Sequence, residues 1–125
     1  MTDYEIKVTD AELQLLQLLW DESPLDAVEL ARRASPDRGW SITTVKTLLS
    51  RLLAKGALTA QQEGRRFQYR PAVDRQTVAA RQADSLVDRL FGGRVSPLVA
   101  QLAEQRELDP ADLAELEALV RSLRK

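Results

Sequence analysis

The segment WSITTVKTLLSRLLAKGAL, residues 40–58, decides the fold. Within it Val45, Leu48, Leu49, Leu52 and Leu53 recur at spacings of three and four, which confines them to one side of an α-helix. Ser41 is placed to cap that helix and Gly56 fits the left-handed stop after it, so the pattern predicts a helix over 42–55. With about 100° per residue, the side away from the leucines carries Thr43, Thr47, Ser50 and Ala54. Thr44 and Arg51 flank it on one edge and Lys46 on the other. The face is small, polar and cationic. Taken alone it reads as a solvated surface; its neighbours in the chain give it a second reading.

Working upstream, Thr9-Asp10-Ala11-Glu12 has the form of a capping box, and Leu13, Leu16, Leu19 and Trp20 follow as an apolar stripe until Asp21-Glu22-Ser23-Pro24. This predicts a first helix over 10–21, with Trp20 in the core. Asp26 and Glu29 repeat the capping signature, and Ser35-Pro36-Asp37-Arg38-Gly39 reads as a break, which predicts a second helix over 27–34. Downstream, Leu58–Gln62 and Phe67–Arg70 are short, partly alternating runs joined by Glu63-Gly64-Arg65-Arg66, the pattern of two antiparallel strands and a turn. Three helices followed by a hairpin is the order of a winged helix-turn-helix.

Beyond the hairpin, Val78, Leu86, Val87 and Leu90 have helical spacing over 75–91. Ser96-Pro97 and Asp109-Pro110 each pair a capping residue with proline at the first helical position, predicting helices over 97–105 and 110–124. The last carries Leu113, Leu116, Val120 and Leu123 at coiled-coil spacing, widened by Leu119. These stripes are too narrow for a core of their own. They fold back onto the winged helix or, more naturally, pair with a second copy. The expected fold is mainly α with a small β-hairpin, a winged helix-turn-helix over 1–73 followed by a helical dimerisation region over 74–125.

Composition narrows the function. The chain of 125 residues has no Cys and no His, which removes disulfides, thiolate metal sites and the commonest general base. No Gly-rich phosphate loop or G-x-S-x-G motif is present, so neither enzyme chemistry nor a cofactor or metal is expected. No run is long enough to cross a membrane, and the acidic start MTDYEIKVTD lacks a secretory pattern, which leads to an expected cytoplasmic location. The formal net charge of -1 conceals a strong asymmetry. Residues 1–37 carry three bases against nine acids, whereas residues 38–73 carry Arg38, Lys46, Arg51, Lys55, Arg65, Arg66 and Arg70 against Glu63 alone.

A basic block centred on the third helix of a helix-turn-helix points to double-stranded DNA. The candidate contacts are Trp40, Ser41, Thr43, Thr44, Lys46, Thr47, Ser50 and Arg51 on and before that helix, and Arg65 and Arg66 at the hairpin tip. Arg51 suits guanine edges and Lys46 suits phosphate. The tip arginines suit phosphate or the minor groove, or else form a charged turn that keeps an edge soluble. Trp40 has two readings, packing on the core and contacting phosphate through its indole. The competing reading of the whole is a winged-helix protein-interaction or assembly module.

VTDAELQLLQLLW at 8–20, WSITTVKTLLSRLLAKGAL at 40–58 and EGRRFQYRP at 63–71 together resemble the penicillinase and methicillin-resistance repressors of the BlaI/MecI type, with the related copper-transport repressors. The resemblance covers nearly the whole chain. It implies a homodimeric transcriptional repressor on a palindromic operator, with exchanged C-terminal helices. In the penicillinase branch it also implies release through a membrane metalloprotease sensor and cleavage at a bond that aligns here with Gln101-Leu102. The family bond is Asn-Phe. Ile42-Thr43 stand where that branch tends to have Pro-Lys, and Lys46 where it has Gln. The copper branch ends in a cysteine-rich site, and this chain has no Cys.

Overall fold

A computed structural model describes residues 7–124, with the side chains of Ser35 and Asp37 set aside; the acidic start at 1–6 lies outside the described residues. Its elements run α1 (Asp10–Asp21), α2 (Ala27–Arg38), α3 (Ile42–Ala54), β1 (Leu58–Glu63), β2 (Arg66–Pro71), α4 (Arg75–Phe91), α5 (Val95–Gln105) and α6 (Pro110–Leu123). The chain forms two compact units, one through Gln82 and the other from Ala83.

In the first unit α1, α2 and α3 pack on one another, and the hairpin closes against them. Leu15, Leu16 and Leu19 of α1, Leu30 of α2, and Val45, Leu49 and Leu52 of α3 are almost wholly excluded from solvent. Val8, Leu25, Ala27, Ala31, Leu48, Ala57, Leu58, Val73 and Val78 complete the cluster. Leu15 lies outside the stripe expected for the first helix, while Leu13 is only half-buried. The reason is that α1 is contacted by α2, α3 and β2, so more than one of its faces is enclosed. Trp20 packs on the edge of the cluster, and its indole N–H donates to the Val73 carbonyl at 3.0 Å.

The N-terminus of α1 has the capping box its sequence specifies: the Glu12 amide donates to Thr9 Oγ1 at 3.2 Å, and the Thr9 amide donates to Glu12 Oε1 at 3.0 Å. Asp26 likewise accepts the Glu29 amide at 2.8 Å. α2 runs on to Arg38 instead of stopping at Ala34, with Pro36 inside it. Proline's φ is helical, which lets the turn continue, although its ring nitrogen cannot donate to the carbonyl four residues back. The strands pair from Leu58 with Pro71 to Glu63 with Arg66, leaving Gly64-Arg65 as a two-residue turn. Gly64 has φ of 65° and Arg65 does not have positive φ, as a turn with glycine at its first central position requires. Leu25 adds a short antiparallel bridge to Tyr69, tying the α1–α2 connection to the hairpin.

The first unit continues past Val73 into α4. Val78 belongs to its core, and Gln82 Nε2 donates to the Val8 carbonyl at 2.9 Å. In the second unit α5 begins at Val95, not Pro97, with Arg94 at the cap position and no side-chain cap bond. Pro97 then falls in the first turn, where a missing amide still costs nothing. α6 begins as expected, with Asp109 Oδ1 accepting the amides of Ala111 and Asp112. No residue of α5 or α6 is buried. No helix among the described residues is long and apolar enough to cross a membrane.

Candidate nucleic-acid interface

α3 is fixed at both ends. Ser41 Oγ accepts the Thr44 amide at 3.1 Å, so the helix starts at Ile42. At the other end Gly56, with φ of 79°, lets its amide reach the Leu53 carbonyl at 3.0 Å and the Ala57 amide reach that of Leu52 at 2.9 Å. This double closure is the Schellman arrangement, and only glycine adopts its backbone without strain. Val45, Leu48, Leu49 and Leu52 then face the core. Thr43, Thr44, Lys46, Thr47, Ser50 and Arg51 are all exposed, as the helical spacing requires.

The hydroxyls on this face are partly committed within the helix. Thr47 Oγ1 donates to the Thr43 carbonyl at 3.1 Å, and Ser41 Oγ donates to Thr44 Oγ1 at 3.2 Å. Trp40 is half-buried and packs against the core edge, with the Arg38 guanidinium 5.4 Å from its ring centroid. Packing is therefore its visible role.

The structure sorts the basic block. Lys55, next after α3, pairs with Glu12, which is 1% exposed. Burial pushes the Glu12 carboxyl up, but the Lys55 ammonium, the Thr9 amide and the Arg51 charge together hold it below its ordinary value. Arg66 Nη1 donates to Asp26 Oδ2 at 2.9 Å. The Glu29 amide, followed by Arg66, holds the Asp26 carboxyl low despite partial burial. Arg70 reaches Gln61 Oε1 at 3.4 Å, and Arg38 reaches Gln14 Oε1 at 3.3 Å. Lys46, Arg51 and Arg65 make no ion pair among the described residues. Two cations of the basic block are thus neutralised by acids of the N-terminal segment, while Lys46, Arg51 and Arg65 are exposed and make neither an ion pair nor a side-chain hydrogen bond among the described residues.

Sequence reasoning missed both pairs. Glu12 was legible as a capping residue and Lys55 as a base, but the partners are 43 positions apart; Asp26 and Arg66 are 40 apart. Nothing local links them. Gln101 and Leu102 lie inside α5, both exposed, in a different compact unit from the α3 face.

Comparison with known proteins places this geometry. The profile of the penicillinase repressor family matches residues 8–122. A penicillinase repressor of Bacillus licheniformis is 31% identical over 110 residues, covering 88% of this chain and 86% of the relative. The solution structure of the DNA-binding domain of the repressor BlaI is 35% identical over 62% of this chain and 93% of that one, with a TM-score of 0.54. The monomeric form of Bacillus licheniformis BlaI, solved in complex with the blaP half-operator, is 37% identical over 57% of this chain and 87% of that one, with a TM-score of 0.50. With the capped third helix, the hairpin beside it and a match running nearly from end to end, the chain belongs to the penicillinase repressor family.

Proposed function

We propose that the protein is a sequence-specific DNA-binding transcriptional repressor that acts as a homodimer on a palindromic operator. The observation that carries this is the outer face of α3, from Thr43 to Arg51, exposed and cationic on a helix clamped at both ends. A rigid helix with small side chains lets its backbone approach base edges, Arg51 has the bidentate geometry for guanine, and Lys46 and Arg65 offer charge to phosphates. The relative solved on a half-operator has the same winged helix.

The dimer rests on the second unit. Leu113, Leu116, Leu119, Val120 and Leu123 of α6 are between 37% and 74% exposed, and Val95, Val99 and Leu102 of α5 between 40% and 61%. So much apolar surface along two helices favours burial against a second copy. The region from Asp74 onward serves dimerisation through this surface, although the first turns of α4 pack on the winged helix. A two-fold dimer places its recognition helices about 34 Å apart, or a multiple of that, and so matches a palindrome.

Release by cleavage at Gln101-Leu102 is the finer part of the proposal. The bond lies inside α5, so a protease has to find that helix unwound to bind it as an extended strand. The parent experiment is a mobility shift on the protein's own promoter region at several salt concentrations. A specific shift that weakens steeply with salt supports the repressor; no shift at micromolar protein overturns it.

A further inference from the structure

The hairpin is packed at its base and open at its tip. Leu58 of β1 is buried, but every later residue of that strand is exposed, and at the start of β2 so are Arg66 and Phe67. The last backbone tie from outside the hairpin is at Tyr69, whose amide donates to the Leu25 carbonyl at 2.8 Å while its carbonyl accepts the Leu25 amide at 3.2 Å. From Tyr69 to Arg66 the strand runs about 10 Å further out. Over that outer half, one side-chain bond from outside the hairpin is present among the described residues, from Arg66 Nη1 to Asp26 Oδ2.

Asp26 is itself firmly placed. Its side chain is 13% exposed, and its other oxygen, Oδ1, accepts the Glu29 amide at the start of α2. The carboxylate therefore stands on the helical body, next in sequence to the Leu25 bridge, and holds the strand at the residue that follows the Gly64-Arg65 turn. Arg65 makes no ion pair or side-chain hydrogen bond among the described residues, so the hold on Arg66 governs where the Arg65 side chain starts.

We infer that Asp26 is a positioning residue: through Arg66 it fixes the hairpin tip so that Arg65 meets DNA already oriented. A tip fixed in the unbound protein has little freedom left to lose on docking, so the same phosphate contact gives tighter binding. The inference rests on the DNA-binding role proposed above and gives Asp26 no contact with DNA.

The test is a set of variants of the full-length chain, each titrated against a duplex that the wild type selects from a random-sequence pool and against a scrambled one. Asp26→Asn removes the charge that Arg66 pairs with but keeps an oxygen for the Glu29 amide, and asparagine caps helices as well as aspartate does, so the variant folds. It is expected to bind both duplexes about threefold more weakly, with the salt slope unchanged because no phosphate contact is lost. Arg66→Ala and the double variant should lose the same factor. In an Arg65→Ala background, Asp26→Asn should change nothing further. A loss that persists in that background reveals a general effect through α2 and overturns the inference, as does an unchanged affinity. Tighter binding with a steeper salt slope overturns it too, because Asp26 would then be keeping Arg66 from a phosphate. A wild type that selects no sequence overturns the specific-repressor reading itself, and this outcome is distinct from the others.

Discussion

The two compact units use the same kind of helix to different ends. In the first, α1, α2 and α3 converge with a hairpin, and their apolar side chains vanish from the surface: Leu15, Leu16, Leu30, Leu49 and Leu52 are all at 0% exposure. In the second, α6 repeats leucine and valine at equally regular spacing, yet Leu119 is 56% exposed and Leu123 74%. Amphipathic spacing defines a face to be buried. Whether burial occurs within one chain depends on how many other elements meet that face. The first unit has several; the second is two short helices and the end of a third.

The widest test of this contrast compares Leu49→Ala with Leu119→Ala. Leu49→Ala is expected to cost about 2–5 kcal/mol, because it opens a cavity in a closed core. Leu119→Ala should cost less than about 0.5 kcal/mol where the chain is single. In the dimer it should lower the denaturation midpoint increasingly on dilution, since burial there needs a partner. Chemical denaturation at two protein concentrations measures both. A Leu119→Ala chain indistinguishable from wild type at every concentration would break the contrast.

Next in size is Lys55→Met, which strands the buried Glu12 carboxylate and should cost about 2–4 kcal/mol. The pH dependence sharpens this prediction. In the wild type Glu12 is held below its ordinary value near 4.5, so its contribution to stability is full above that value and is lost as pH falls through the lower folded one. Without Lys55, burial dominates and the carboxyl is raised. The variant should then recover stability relative to wild type on acidification through the same range, a reversal that denaturation between pH 3 and pH 7 would reveal, with both limits set at about these values.

A smaller effect separates reading from gripping within the first unit. Arg51→Ala is expected to lose about 1–3 kcal/mol of discrimination between the selected duplex and a scrambled one. Arg65→Ala should weaken both duplexes alike and reduce the salt slope by about one. Equal losses on both duplexes from both variants would assign the two arginines the same role. Smallest is Arg66→Ala. In its ion pair to Asp26 the Arg66 side chain is 67% exposed, so the fold should lose no more than about 1 kcal/mol. A loss of DNA affinity well beyond that would show that Arg66 leaves Asp26 for a phosphate.

The elements were legible wherever their signals were local. Thr9 with Glu12, Asp26 with Glu29, Ser41 and Asp109 each cap the helix that their sequence announced. Glycine at 64 made the hairpin turn. Signals weakened where two local rules competed, as at Ser96-Pro97, where a capping pair lies inside a first turn already begun at Val95. Pro36 misled for the related reason that a proline late in a helix need not end it.

The exposed face of α3 followed from helical spacing alone, because the leucines had to turn inward and the threonines, Lys46 and Arg51 were what remained. Which cations of the basic block stay available did not follow. Lys55 and Arg66 read in the sequence exactly like Lys46 and Arg65 until the chain folds and brings Glu12 and Asp26 to them. Sequence by itself determined the periodicities, caps and turns, since these depend on neighbours within a few residues. Only the tertiary structure decided the charge pairing, the enclosure of Leu15 and the commitment of the early part of α4 to the first core, because each depends on elements distant in the chain arriving at the same place.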